Sequence, residues 1–163
     1  MEQHFRGFEE TWRQSRQNLQ GYPRGKGRPL IRIVLDTNVF ISSFFGGNPR
    51  KTIDLWKQDK LQLCLSQAIV EEYVEVLLRL GLNDRSEIKE LLSLFSKGGN
   101  TIFTSATSPV SLVLDDPDDN KFIECAVALK AGLIISGDKH LLKIKKYLDI
   151  KILSPLEFLN EFN

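Results

Sequence analysis

Ile31-Arg32-Ile33-Val34-Leu35-Asp36-Thr37-Asn38-Val39-Phe40-Ile41 decides how this chain of 163 residues is read. Four branched apolar residues, with Arg32 among them, make a short strand, and the strand stops on a carboxylate. Towards the other end of the chain, Leu133-Ile134-Ile135-Ser136-Gly137-Asp138 repeats the design. Short, continuously apolar runs of this kind belong to strands buried on both faces, as in parallel sheets. Carboxylates leaving the carboxyl ends of such strands face the crevice where open α/β sheets bind their ligands.

Between and beyond the two runs, apolar segments alternate with helical periodicity. Strands are expected at 31–35, 61–65, 100–103, 132–135 and 150–152. Helices are expected near 49–58, 67–80, 84–96, 119–130 and 139–147, with a short one near 155–161. Ser66 is placed to cap the second helix and Gly81 to stop it; Asn83-Asp84 and Gly98-Gly99 do the same for the third. Short strands separated by helices imply βαβ units. The expected fold is therefore a three-layer α/β/α domain over residues 30–163, with a central parallel sheet of about five short strands. Residues 1–29 read as an N-terminal extension. Phe5, Phe8, Trp12 and Leu19 fall near one helical face, and the Gly- and Pro-rich stretch 21–29 reads as a linker.

Charge is uneven. The extension carries six Lys/Arg against three Glu, which leaves 16 basic and 18 acidic groups in residues 30–163. The domain is thus no bulk polycation, and any attraction to phosphates must come from the extension or a local patch. No run approaches the ~18 apolar residues of a membrane span, and the start MEQHFRGFEE lacks the apolar core of a signal peptide. No membrane association and a cytoplasmic location are expected. Cys64 and Cys125 are expected as core thiols, and His4 and His140 stand apart, so no zinc-ligand spacing is present.

Two further acids join Asp36 and Asp138. Glu72 borders the inward stripe Ile69, Val70, Tyr73, Val76, Leu77 and Leu80, whereas Glu71 and Glu75 point outward. In Asp115-Asp116-Pro117-Asp118-Asp119-Asn120-Lys121, several carboxylates suit a helix N-terminus. Asp119 precedes Phe122, Ile123 and Ala126 at helical spacing, which sets it at the sheet-facing edge of the first turn; Asp116 is a secondary candidate. Thr37, Asn38 and Ser136 offer groups able to orient a carboxylate or water. Lys139, His140, Lys143, Lys145 and Lys146 follow the last acid and are placed to rim the crevice and hold phosphates. Like charges gathered in one pocket repel unless cations lie between them, and an all-carboxylate donor set suits Mg²⁺ or Mn²⁺ rather than Zn²⁺.

The segments VLDTNVFIS at 34–42, SQAIVEEYVEVL at 66–77, DDPDDNKFIECA at 115–126 and LIISGDKHLL at 133–142 resemble the PIN domain family of metal-dependent ribonucleases. The resemblance covers residues 31–160 and is nearest to the bacterial branch of toxins in toxin–antitoxin pairs. It implies Asp36, Glu72, Asp119 and Asp138 as a catalytic, metal-holding quartet supported by Asp116, Thr37, Asn38 and Ser136. It also implies an RNA substrate, an antitoxin protein as partner, and a homodimer or larger assembly. The extension 1–29 departs from members of that branch, which often begin at the first strand.

Three other readings stand beside it. A phosphatase with Asp36 as nucleophile wants a second acid two residues on, where Asn38 stands. A phospho-accepting receiver module would not need acids at Glu72 and Asp119. A non-catalytic binding protein on the same fold would have no need of the full quartet.

Overall fold

The computed structural model describes residues 30–162, apart from 83, 87, 88, 91, 92 and 94–99. Strand β1 (Ile31–Leu35) leads into helix α1 (Thr37–Ser42), a 3-10 turn (Ser43–Phe45) and helix α2 (Gly47–Lys57). Strand β2 (Leu61–Ser66) is followed by helix α3 (Gln67–Arg79), and strand β3 is Thr101–Thr104. A 3-10 turn (Pro117–Asp119) opens helix α4 (Asn120–Ala128), then come β4 (Leu133–Ile135) and α5 (Lys139–Ile144). The two-residue strand β5 (Lys146–Tyr147), β6 (Ile150–Leu153) and α6 (Pro155–Phe162) complete the order.

The strands form one sheet in the order β3-β2-β1-β4-β6-β5, parallel throughout except for the antiparallel β5–β6 pair. Successive residues of a strand face opposite sides, yet Ile33, Val34 and Leu35 are all buried, as are Leu63, Cys64 and Leu65. Helices therefore cover both faces. The chain winds outward from β1 in one direction through β2 and β3, and in the other through β4 and β6. The order reverses between β1 and β4, and a doubly wound sheet opens its ligand crevice at such a point.

Local chemistry explains the helix ends. Ser66 accepts from the Ile69 amide at 3.3 Å, the expected N-cap of α3. That helix stops where Leu82 N–H donates to Leu77 O at 3.0 Å and Gly81 N–H to Leu78 O at 3.1 Å. Gly81, at φ +67°, takes the left-handed turn this closure requires.

Three expectations need correction. The sheet has six strands rather than five, because the fifth helix ends at Ile144 instead of running to 147; Lys145 turns left-handed at φ +64° and the chain doubles back as β5. No helix was expected over 37–42, where the residues after Asp36 form the short helix α1 and bury Val39, Phe40 and Ile41. The helix expected from 119 starts at Asn120, since Pro117 imposes a 3-10 turn first. Of the helix expected at 84–96, Ser86, Lys89, Glu90 and Ser93 are helical and much of the remainder, like Asn83, Gly98, Gly99 and the whole of 1–29, lies outside the described residues. Cys64 and Cys125 are free, buried thiols. No helix among the described residues is long and apolar enough to cross a membrane.

Candidate active site

Asp36 stands at the carboxyl end of β1, beside the end of β4. Its amide donates to Ile135 O at 3.0 Å, which extends the strand pairing to the carboxylate itself. The side chain is buried and held at both oxygens: Oδ1 accepts from the Asn38 amide at 2.6 Å and Oδ2 from the Ser136 hydroxyl. Asp36 therefore caps α1 and faces the switch point at once. Asn38 contributes its backbone rather than its side chain, which is exposed.

Ser136 links the first acid to the last. While its hydroxyl donates to Asp36, its oxygen accepts from the Asp138 amide at 2.9 Å. Asp138 caps α5 with Oδ1, which accepts from the His140 and Leu141 amides at 2.8 and 3.1 Å. Among the described residues Oδ2 of Asp138 has no such partner.

Glu72 reaches the same region from the opposite side. The Phe40 and Tyr73 rings stack with centroids 4.1 Å apart and planes 4° from parallel, which locks α1 onto α3. That contact carries Thr37 to Glu72, and the Thr37 hydroxyl donates to Oε2. Beneath them the buried Tyr73 hydroxyl donates to Leu35 O, so the residue beside Glu72 is tied to the one beside Asp36.

The remaining oxygen of Glu72, Oε1, accepts from Lys121 Nζ at 3.1 Å. Sequence reasoning did not find Lys121. Its partner lies 49 positions away on another helix, and no local pattern announces that meeting. Asn120 was missed as well. It is buried, its Oδ1 accepts from the Leu112 and Val113 amides at 3.0 and 2.8 Å, and its Nδ2 donates to Val113 O and Pro117 O. Asn120 thereby fixes the acidic loop that presents Asp116 and Asp119.

Asp119 is half-buried and, among the described residues, its carboxylate has no hydrogen-bond or ion-pair partner. Burial, then the negative charges of Asp116, Asp138, Asp36 and Glu72 in that order, push its carboxyl up to about 7. The Asp36 carboxyl is also raised, chiefly by burial and further by Asp138, against the hydrogen bonds from Ser136, Asn38 and Val39 that favour its charged form. All five acids, Asp116 included, thus share one electrostatic neighbourhood at the carboxyl end of the sheet. Lys139, Lys143, Lys145 and Lys146 are exposed nearby in sequence, and His140 Nδ1 approaches Asp115 Oδ2 at 3.5 Å.

Among the described residues no three His, Cys, Asp or Glu side chains close around one point as a metal cluster. The donor set nevertheless fits a hard divalent cation. It is all oxygen, its mutual repulsion is uncompensated at Asp119, and Mg²⁺ is typically held by one or two carboxylates while keeping several waters.

A family model described as PIN domain matches residues 32–140. An uncharacterized protein of Methanocaldococcus jannaschii is 36% identical to this chain over 151 residues, which cover 81% of this chain and 92% of that protein.

Proposed function

The chain belongs to the PIN domain family, and from that membership, which implies a nuclease, we propose that it is a metal-dependent endoribonuclease hydrolysing RNA phosphodiester bonds at the seam between β1 and β4. PIN domains generally bind divalent metals, and Mg²⁺ or Mn²⁺ is the ion whose oxygen preference matches this donor set.

The observation that carries the reading is the bonded chain Asp138–Ser136–Asp36, set across the switch point, beside which Thr37 holds Glu72. When bound, the ion supplies Lewis acidity at the scissile phosphate and lowers the pKa of water. The protein does the rest. Asp36, held at both oxygens, is a pre-oriented donor; among the described residues Asp119 and Asp138 keep oxygens unengaged by neighbours; Ser136 and Thr37 orient carboxylates. The exposed lysines after Asp138 meet the sugar–phosphate backbone and fix its register without reading bases. No covalent protein nucleophile is required.

The test is cleavage of single-stranded RNA by the purified full chain with Mg²⁺, Mn²⁺ or EDTA, beside DNA of the same sequence. Cleavage of RNA with metal alone is expected. Asp36→Asn should lower it at least ~100-fold, the scale lost when a preorganised transition-state partner is removed. Undiminished cleavage by a folded Asp36→Asn protein, or in EDTA, overturns the reading.

The finer role of toxin in a toxin–antitoxin pair draws its support from the four motifs. It entails a small partner protein that blocks the acidic cup, and self-association as a homodimer or larger. Growth arrest on expression, relieved by the product of the adjacent reading frame, is the expected result. Absence of arrest with an active nuclease removes the toxin role and leaves the enzyme.

A further inference from the structure

We infer that Lys121 binds the substrate directly: its ammonium, pinned near Asp36 by Glu72, donates to a non-bridging oxygen of the RNA phosphate that enters the crevice. The inference deepens the ribonuclease reading above and rests on it.

Hydrogen bonds alone place the group. Thr37 follows Asp36 directly and its hydroxyl donates to Oε2 of Glu72, whose Oε1 accepts from Lys121 Nζ at 3.1 Å. On its other side Asp36 is joined to Ser136 and through it to Asp138. An unbroken line of bonds thus crosses the carboxyl ends of β4 and β1 and finishes on a cation. Lys121 comes from the first turn of α4 and Glu72 from the second turn of α3, so the cation sits where two helices meet.

Shelter separates Lys121 from the other lysines. Lys139, Lys143, Lys145 and Lys146 are exposed, and ammonium heads of that kind stay solvated and free to turn. The Lys121 side chain is 18% exposed and that of Glu72 26%, so this pair is far less screened than one on the surface. Its anchor is firm as well. Thr37 is buried, and the Phe40–Tyr73 stack fixes the helix that carries it.

An ammonium has three donors, and among the described residues Glu72 takes one. Two donors on a sheltered cation are left for an acceptor from outside the chain. A phosphate oxygen suits them, because hydrogen bonds between charged partners are shorter and stronger than neutral ones. A phosphate entering a crevice of acids is otherwise repelled, and a fixed cation in its wall offsets that repulsion. The exposed lysines hold neighbouring phosphates, while Lys121 meets the one that lies nearest Asp36.

The experiment follows cleavage of single-stranded RNA by the full chain in Mg²⁺ across a KCl series. On a single strand each phosphate neutralised by a cation contributes about 0.7 to the slope of log affinity against log salt. Lys121→Met is expected to lower kcat/KM at least ~10-fold, the scale of one charged hydrogen bond, and to make its salt slope shallower by about 0.7. Lys121→Arg keeps the charge and should keep the wild-type slope. A lysine that served only to hold Glu72 would change the rate and leave the slope as it was. An unchanged slope in an active Lys121→Met protein, or a slope equally shallow in Lys121→Arg, overturns the inference and leaves the ribonuclease standing. Should Lys121→Met fail to fold, Lys121→Gln, which can hydrogen-bond Glu72 without a charge, decides by the same slope. No cleavage by the wild type overturns the ribonuclease reading, and the inference falls with it.

Discussion

The hydroxyl of Ser136 donates to Oδ2 of Asp36 and joins residues 100 positions apart across the seam between β4 and β1. Both are buried, and the same Ser136 oxygen receives the amide of Asp138. Ser136→Ala removes a donor to a buried carboxylate and the acceptor of a half-buried amide. Destabilisation of about 1–3 kcal/mol is expected in urea unfolding, the usual range for leaving buried polar groups unsatisfied. An unchanged midpoint would show that water replaces the hydroxyl.

The second expectation concerns pH. An isolated aspartate titrates near 3.8, and that of Asp119 in the folded chain near 7. A raised acid pKa means that the native state holds its proton more tightly than the unfolded state does. Its contribution to stability is complete below about pH 4 and is lost as pH rises through about 7. Asp36, raised as well, acts in the same direction. Metal-free protein should melt at progressively lower temperature across that window, and Asp119→Asn should flatten the slope. A melting temperature that rises from pH 5 to pH 7.5 in EDTA would contradict the shared field of the acids.

Ion binding carries the matching signature. Filling the cup with Mn²⁺ requires charged carboxylates, so binding near pH 6 should release a proton and tighten as pH rises. Calorimetry in two buffers of different ionisation enthalpy measures the proton. No release at pH 6 would indicate that Asp119 is not a ligand.

Asn120 offers a test away from the carboxylates. Asn120→Ala leaves the Leu112 and Val113 amides without their acceptor. A loss of about 2–4 kcal/mol is expected, from one buried and one half-buried amide left without a partner, along with faster proteolysis between residues 105 and 117. Wild-type stability would show that the acidic loop is held by other contacts.

The core of the sheet was legible because β1, β2 and β4 are short, largely apolar runs closed by a polar side chain. The ends of β1, β2 and β4 follow directly from Leu35-Asp36, Ser66 and Ser136-Gly137-Asp138. Helix α1 was not legible, since Val39-Phe40-Ile41 has too few residues to separate a period of 3.6 from one of 2. Strand β5 was hidden for another reason. It is two residues long, one of them Lys146, and it exists through pairing with β6 and a left-handed Lys145. At the site, acids at strand ends could be picked from position, whereas the Lys121–Glu72 pair depends on how two helices meet. Composition cannot express that.

The β1–β4 seam also sets when the cup can exist. A growing chain on the ribosome presents Asp36, Glu72 and Asp119 well before Ser136 and Asp138 have been synthesised. The Ser136 amide in turn pairs with Leu153 O, so β4 waits for β6. Translation must run past Leu153 before the acids are assembled, and a product that stops between Asp119 and Ser136 carries three of the four without the strand that gathers them.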